Sequence, residues 1–154
     1  MEITLEQSLA SAIRYIQDNS DEGMEYYFGE IPENYFVPSV YFQIPFLSGE
    51  KATLRTYRKT LTMNVWFMAS ETWDAQTSAA TMLEKMMMDN CILPIVSKDG
   101  TRTGGGSRIK EPSTRKIEEG IVQLTFSFDT YFHPEKDVEK MKKFYIELNK
   151  ADRR

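Results

Sequence analysis

The 154-residue chain has a single cysteine, Cys91, and a single histidine, His133. A lone thiol builds no disulfide framework within the chain, so a reducing compartment is the expected setting. One Cys and one His cannot make a Cys/His zinc site in one chain. Cys91 opens an apolar stretch with no basic partner near it in sequence, which is the setting of an inert buried thiol. His133 stands just before Pro134 and reads as a surface turn residue. Long hydrophobic runs are also missing: 65–69 and 86–88 are the longest, far below the ~20 residues that a bilayer requires. The first residues, Met-Glu-Ile-Thr-Leu-Glu, offer no basic or apolar leader region, so no signal peptide is expected.

Ready-made catalytic motifs are absent too. The carboxylates form no EF-hand pattern, although acid pairs that meet only in space leave no sequence signature. Gly104-Gly105-Gly106 is followed by no Gly-Lys-Ser/Thr opening a helix, and no strand–turn–helix context surrounds it. The expectation is a protein that is not an enzyme, with no catalytic, cofactor-binding or metal site.

What is present fits one globular domain spanning 1–154. The apolar share of 41% and charged share of 27% are those of a chain that buries a core. The net charge of −4 is unevenly spread. Residues 1–35 carry eight acids against Arg14 alone, whereas 101–116 carry Arg102, Arg108, Lys110, Arg115 and Lys116 against Glu111 alone. Such asymmetry suits self-association through complementary surfaces, and it is also what ordinary solvated surface looks like.

Residues 3–18 predict an amphipathic helix, with Leu5, Leu9, Ile13 and Ile16 on one face and a capping box from Thr4 to Gln7. An aromatic strand is expected over 24–31, and an alternating strand over 36–46 that Pro38 and Pro45 make an edge or a bulged one. Residues 47–57 read as a polar hairpin connection. In 58–70, Leu61, Met63, Val65 and Phe67 point one way, and Thr62, Asn64, Trp66 and Met68 the other. That second face is only partly polar, so a helix or a neighbouring chain is expected to cover it; Trp66 and Met68 are the candidate inter-subunit contacts. A second helix is predicted over 71–89 with a stripe of Trp73, Ala80, Leu83 and Met87, then a short strand over 91–97. Residues 98–115 read as a flexible glycine-rich loop, 116–133 as one long strand, and 135–150 as a C-terminal helix. The fold class is therefore α+β: a mainly antiparallel twisted sheet of about four to five strands, with two to three helices packed on one face.

The candidate assembly or lumen-facing residues are those of the expected loop: Arg102, Gly104, Gly105, Gly106, Arg108, Lys110 and Arg115. Their charges can meet phosphates without sequence preference. The acidic sequence pI near 5.1 argues against free nucleic-acid binding as the main task.

The leading amphipathic helix is followed by Phe36-Val37-Pro38-Ser39-Val40-Tyr41-Phe42, then by Arg55-Thr56-Tyr57-Arg58 entering Leu61-Thr62-Met63-Asn64-Val65-Trp66-Phe67. After a helix and a long loop comes Leu124-Thr125-Phe126-Ser127-Phe128-Asp129-Thr130-Tyr131-Phe132. In order, length and strand character, residues 5–132 resemble the tail-terminator proteins of tailed phages and phage-tail-like particles, also called tail-completion or minor tail proteins. The resemblance implies a virion structural protein that forms a homohexameric ring on the tail tube. That ring would end tube polymerisation and offer a surface for joining the head connector. The implied partners are copies of the chain itself, the tail tube protein, the head–tail connector and DNA passing transiently through the lumen, with no membrane involved. The implied location is the virion or tail particle, assembled in the cytoplasm of a host bacterium. Alternative readings are another head–tail joining or baseplate structural protein, or a small cytosolic ligand-binding or enzymatic α+β domain.

Overall fold

A reciprocal cap starts the first helix, α1 (Leu5–Asp18): Thr4 Oγ1 accepts from the Gln7 amide at 3.1 Å, and Gln7 Oε1 accepts from the Thr4 amide at 3.0 Å. Two orphan donors are satisfied at once, a contribution of about 1 kcal/mol. The computed structural model describes residues 4–132. The helix expected at 135–150 and His133 lie outside the described residues.

Behind α1 come β1 (Glu25–Phe28), β2 (Ser39–Phe42), β3 (Phe46–Lys51), β4 (Tyr57–Met68), α2 (Thr72–Met88), β5 (Ile92–Val96), β6 (Arg102–Glu118) and β7 (Ile121–Phe132). The strands form one curled sheet in the order β1-β2-β4-β7-β6-β5, with β3 also paired to β4. The fold is α+β and mostly antiparallel, but it has seven strands instead of four to five, and β1 runs parallel to β2. Two helices occur among the described residues.

Alternation on the two central strands builds the core. Leu61, Met63, Val65 and Phe67 of β4 lie beside Val122, Leu124, Phe126 and Phe128 of β7, all buried. Ala12, Tyr15 and Ile16 of α1 and Ala75, Ala79, Met82 and Met86 of α2 close the same cluster. Each large side chain fully buried there contributes roughly 1.5–3 kcal/mol relative to an exposed one.

Four expectations need correction. The 98–115 segment is not a loop: β6 begins at Arg102, because β5 supplies pairing partners for its first half and β7 for its second. Gly106 allows this approach, since a Cβ there would sit 2.6 Å from Ile92 Cγ2 and 3.3 Å from the Leu93 carbonyl oxygen. The expected long strand over 116–133 is split by a turn at Gly120 (φ +79°) into the end of β6 and all of β7. The expected strand over 36–46 breaks after Phe42, and β2 lies inside the sheet between β1 and β4. Finally, α2 turns a different stripe inward. Ala75, Ala79, Met82 and Met86 are buried, whereas Trp73 and Met87 face outward, because apolar residues surround much of this helix.

The Gly120 turn pins β7 to the start of α2. Its carbonyl accepts from the Ala69 amide at 2.9 Å, and its own amide donates to Thr72 Oγ1 at 2.9 Å. A Cβ at this position would meet the Ala69 oxygen at 2.7 Å, on a backbone already in the left-handed region. Gly120→Ala is expected to lower stability by about 1–3 kcal/mol. Urea unfolding checks this against Gly49→Ala, whose Cβ would meet the Arg58 oxygen at 3.8 Å and whose midpoint should barely move.

Candidate assembly interface

The seven residues expected in a loop are instead strung along β6. Arg102 lies opposite Val96, Gly106 opposite Pro94 and Arg108 opposite Ile92; farther on, Lys110 lies opposite Ser127 and Arg115 opposite Gln123. From Arg102 to Arg115 the strand runs roughly 40 Å at ~3.3 Å per residue. The segment therefore forms no single basic cluster. Arg102, Gly104, Gly105, Gly106, Arg108 and Arg115 are exposed, while Ser107 and Ile109 turn inward and are buried.

The structure does bring two of the basic residues together. Before Ile109, β6 pairs with β5 and stands apart from β7, which leaves a groove lined by Gly106, Ser107, Arg108, Lys110, Asp129 and Tyr131. Within it Lys110 Nζ reaches Asp129 Oδ2 at 2.5 Å, and Thr60 Oγ1 donates to Asp129 Oδ1 at 2.6 Å. Arg58 stands 4.0 Å from the same carboxylate and also pairs with Glu50 on β3. Burial pushes the Asp129 pKa upward, but the bonds from Lys110 and Thr60, with the charges of Lys110 and Arg58, outweigh it and hold the carboxyl below its ordinary value. Lys110 is thus engaged with its own chain.

Away from the core, the sheet carries a hydrogen-bonded polar face. Trp66 Nε1 donates to Gln123 Oε1 at 2.9 Å, Gln123 Nε2 donates to Thr125 Oγ1 at 3.0 Å, and Thr125 donates to Asn64 Oδ1 at 2.9 Å. Tyr41 packs edge-on against Trp66 with ring centroids 5.5 Å apart. Of the two expected inter-subunit contacts, Trp66 is half-buried in this network. Met68 is 1% exposed, so its own chain covers it and it offers no contact surface.

Sequence reasoning missed the exposed apolar residues. Ile44, Phe46, Leu47 and Leu54 all project from the β3–β4 hairpin, Leu54 being 88% exposed near its tip. Phe28, Tyr35 and Phe36 are exposed beside β1. Trp73, 79% exposed, lines an open cleft of about 860 Å³ together with Thr72, Glu119 and Gly120. The signal was there in 44–54, but Gly49, Glu50 and Lys51 gave that stretch the composition of a connection.

Among the described residues no three His, Cys, Asp or Glu side chains come together as a metal site, and no helix is long and apolar enough to cross a membrane. Tyr15 Oη donates to Asp89 Oδ2 at 2.7 Å. Burial, then the bond to Asp89, pushes the phenol well above its ordinary value, and the same bond lowers Asp89. This contact ties α1 to the end of α2.

The fold and its surfaces define an α+β domain with a polar sheet face, a projecting hairpin and apolar side chains on its rim. No protein-family model matches the chain. It is similar to the phage-like element PBSX protein XkdJ of Bacillus subtilis (strain 168), with 27% identity over 106 residues, 68% of this chain and 73% of that protein. It is also similar to the uncharacterized protein YqbJ of the same strain, with 23% identity over 114 residues, 74% of this chain and 79% of that one. The chain is thus related in sequence to a protein of a phage-like element.

Asp129 sets a pH dependence. A carboxyl lowered on folding adds stability above its unfolded value of ~3.9, and that stability is lost as pH falls through the lower folded value. Asp129→Asn is expected to cost about 1–2 kcal/mol at neutral pH and progressively less as pH falls below ~3.9, so the two unfolding curves approach each other on acidification. Curves that keep a constant separation as pH falls would show that folding leaves the Asp129 carboxyl unshifted.

Proposed function

We propose that this chain is a non-catalytic structural protein that forms a ring, six copies in the tail-terminator pattern, capping the tail tube of a phage or phage-like particle. The ring ends tube polymerisation, presents a surface to the head–tail connector and leaves a lumen through which DNA passes. The protein then resides in the virion or tail particle and is assembled in the host's cytoplasm. The observation that carries this reading is the similarity to a protein of a phage-like element over about two thirds of both chains. Two features support it. Apolar side chains project from opposite parts of one sheet edge, as an assembling subunit requires. Arg102 and Arg108 stand exposed on β6, where they can face DNA phosphates without reading bases.

The test is electron microscopy of particles made without this chain. Tubes of abnormal and variable length, lacking heads, are expected, and a tagged copy should restore uniform length while decorating the head-proximal tail end. Tubes of normal length, or a tag at the distal end, overturn the reading.

A further inference from the structure

We propose that the β3–β4 hairpin of one copy, residues 44–59, docks on the edge formed by residues 21–37 of a second copy of this chain. The inference rests on the ring reading above and supplies the contact between subunits that such a ring needs. The two surfaces are opposite in charge. Residues 44–59 carry Lys51, Arg55 and Lys59 besides Arg58, which is paired with Glu50 and Asp129 of its own chain, while 21–37 carry Asp21, Glu22, Glu25, Glu30 and Glu33 with no Lys or Arg. Complementary fields of this kind steer encounter and fix register.

Both surfaces also offer apolar side chains on pre-formed backbone. All six residues of β3 are exposed, and its hairpin holds out Ile44, Phe46, Leu47 and Leu54. The tip is fixed by bonds from the amides of Ala52 and Thr53 to the Thr56 oxygen at 2.9 and 3.0 Å. On the other side, β1 ends the sheet. Phe28 stacks on Phe42 at 5.3 Å yet remains half exposed, and Phe36, 71% exposed, is anchored by its amide donating to Tyr27 Oη at 2.9 Å. Pre-formed surfaces lose little freedom on docking.

One copy does not satisfy both surfaces by itself. β1 lies beside β2, which pairs with the 65–68 end of β4, whereas β3 pairs with residues 57–62 and its tip lies beyond Tyr57, more than roughly 25 Å along the strand at ~3.3 Å per residue. Both patches stay exposed in the single chain. An exposed strand edge left uncovered invites pairing with another chain, so a specific occupant resolves that hazard.

Disulfide trapping tests the contact in the full chain. Leu54→Cys and Phe36→Cys variants, each also carrying Cys91→Ser, are mixed under mild oxidation. Their mixed disulfide is expected in about tenfold excess over that from Leu54→Cys with Glu84→Cys on α2, and reversing charge with Glu30→Lys/Glu33→Lys should erase the excess. Lys51→Glu/Arg55→Glu in the hairpin copy should then restore it. Yields equal to the α2 control, or insensitive to charge reversal, overturn the proposal. Ile44→Cys with Tyr35→Cys is a second pair should either first variant fail to fold. A chain carrying both Leu54→Cys and Phe36→Cys separates the two readings. Closed species of several copies support both, while a two-copy species with reciprocal disulfides keeps the docking contact and rejects the ring.

Discussion

The pairing of β4 with β7 is the constraint on which the rest of the structure depends. Every residue from Tyr57 to Met68 lies opposite a residue from Phe132 to Ile121 without a register shift. Side chains alternate along both strands, so a slip by one residue would turn Leu61, Met63, Val65 and Phe67 out of the core and Thr62, Asn64 and Trp66 into it. The register is therefore set by the alternating burial of 61–67 on β4 and 122–128 on β7. Everything else attaches to it: β2 and β3 line the free side of β4, β6 lines β7, and α2 packs across β4, β6 and β7.

What surrounds the ladder differs from end to end, and the surface features follow from that. At the Met68 end the ladder is bracketed by β2 and by the Gly120 turn, where Thr72 accepts from the Gly120 amide and donates to Glu119 at 2.8 Å. At the Tyr57 end, β3 is the last strand on one side, and on the other β6 has left β7 for β5. Cross-strand side chains take over there: Glu50, Arg58, Asp129, Lys110 and Thr60 form one polar chain from β3 across β4 and β7 to β6. The bulge between Lys110 and Ser113, with Glu111 at φ +50°, lies inside the stretch paired to β7, just beyond the point at Arg108 and Ile109 where the pairing of β6 passes from β5 to β7.

The legible parts of the sequence were those where local pattern and tertiary environment agree. Thr4 and Gln7 announce α1, and the alternation of 61–67 and 122–128 announces the two central strands. β6 was illegible because its strand character belongs to its neighbours. Ser107 and Ile109 are its two buried side chains, and Gly106 marks close approach to β5 where composition alone indicates a loop. The inward face of α2 was ambiguous for a different reason. Alanine and methionine recur on several of its sides, so period alone cannot choose between the 73–80–83–87 and 75–79–82–86 stripes, and the sheet's placement decides. Of the two residues expected at a contact between subunits, Trp66 lies on the polar face, as its place among Thr62 and Asn64 implies, and is half-buried by its own chain. The burial of Met68 depends on chain segments distant from it in sequence.

The shifted titratable groups trace to contacts within the fold. Strongly shifted groups often mark reactive sites, but structural ties shift them as well. Here Tyr15 and Asp89 hold each other across two helices, Asp129 is held by Lys110 and Thr60, and Asp99 is kept at about 2 by its bonds to Ser97 and Thr101. Each of these shifts traces to a contact within the fold. The exposed apolar residues Ile44, Phe46, Leu54, Phe28 and Phe36, by contrast, lack cover from their own chain and lie on a single sheet edge of mixed charge. An edge that is basic in one stretch and acidic in another is poorly matched to a uniform partner and well matched to a copy of itself. Self-association along that edge would cover the apolar groups and leave the β6 side of the sheet, with its exposed arginines, open to whatever passes or docks there.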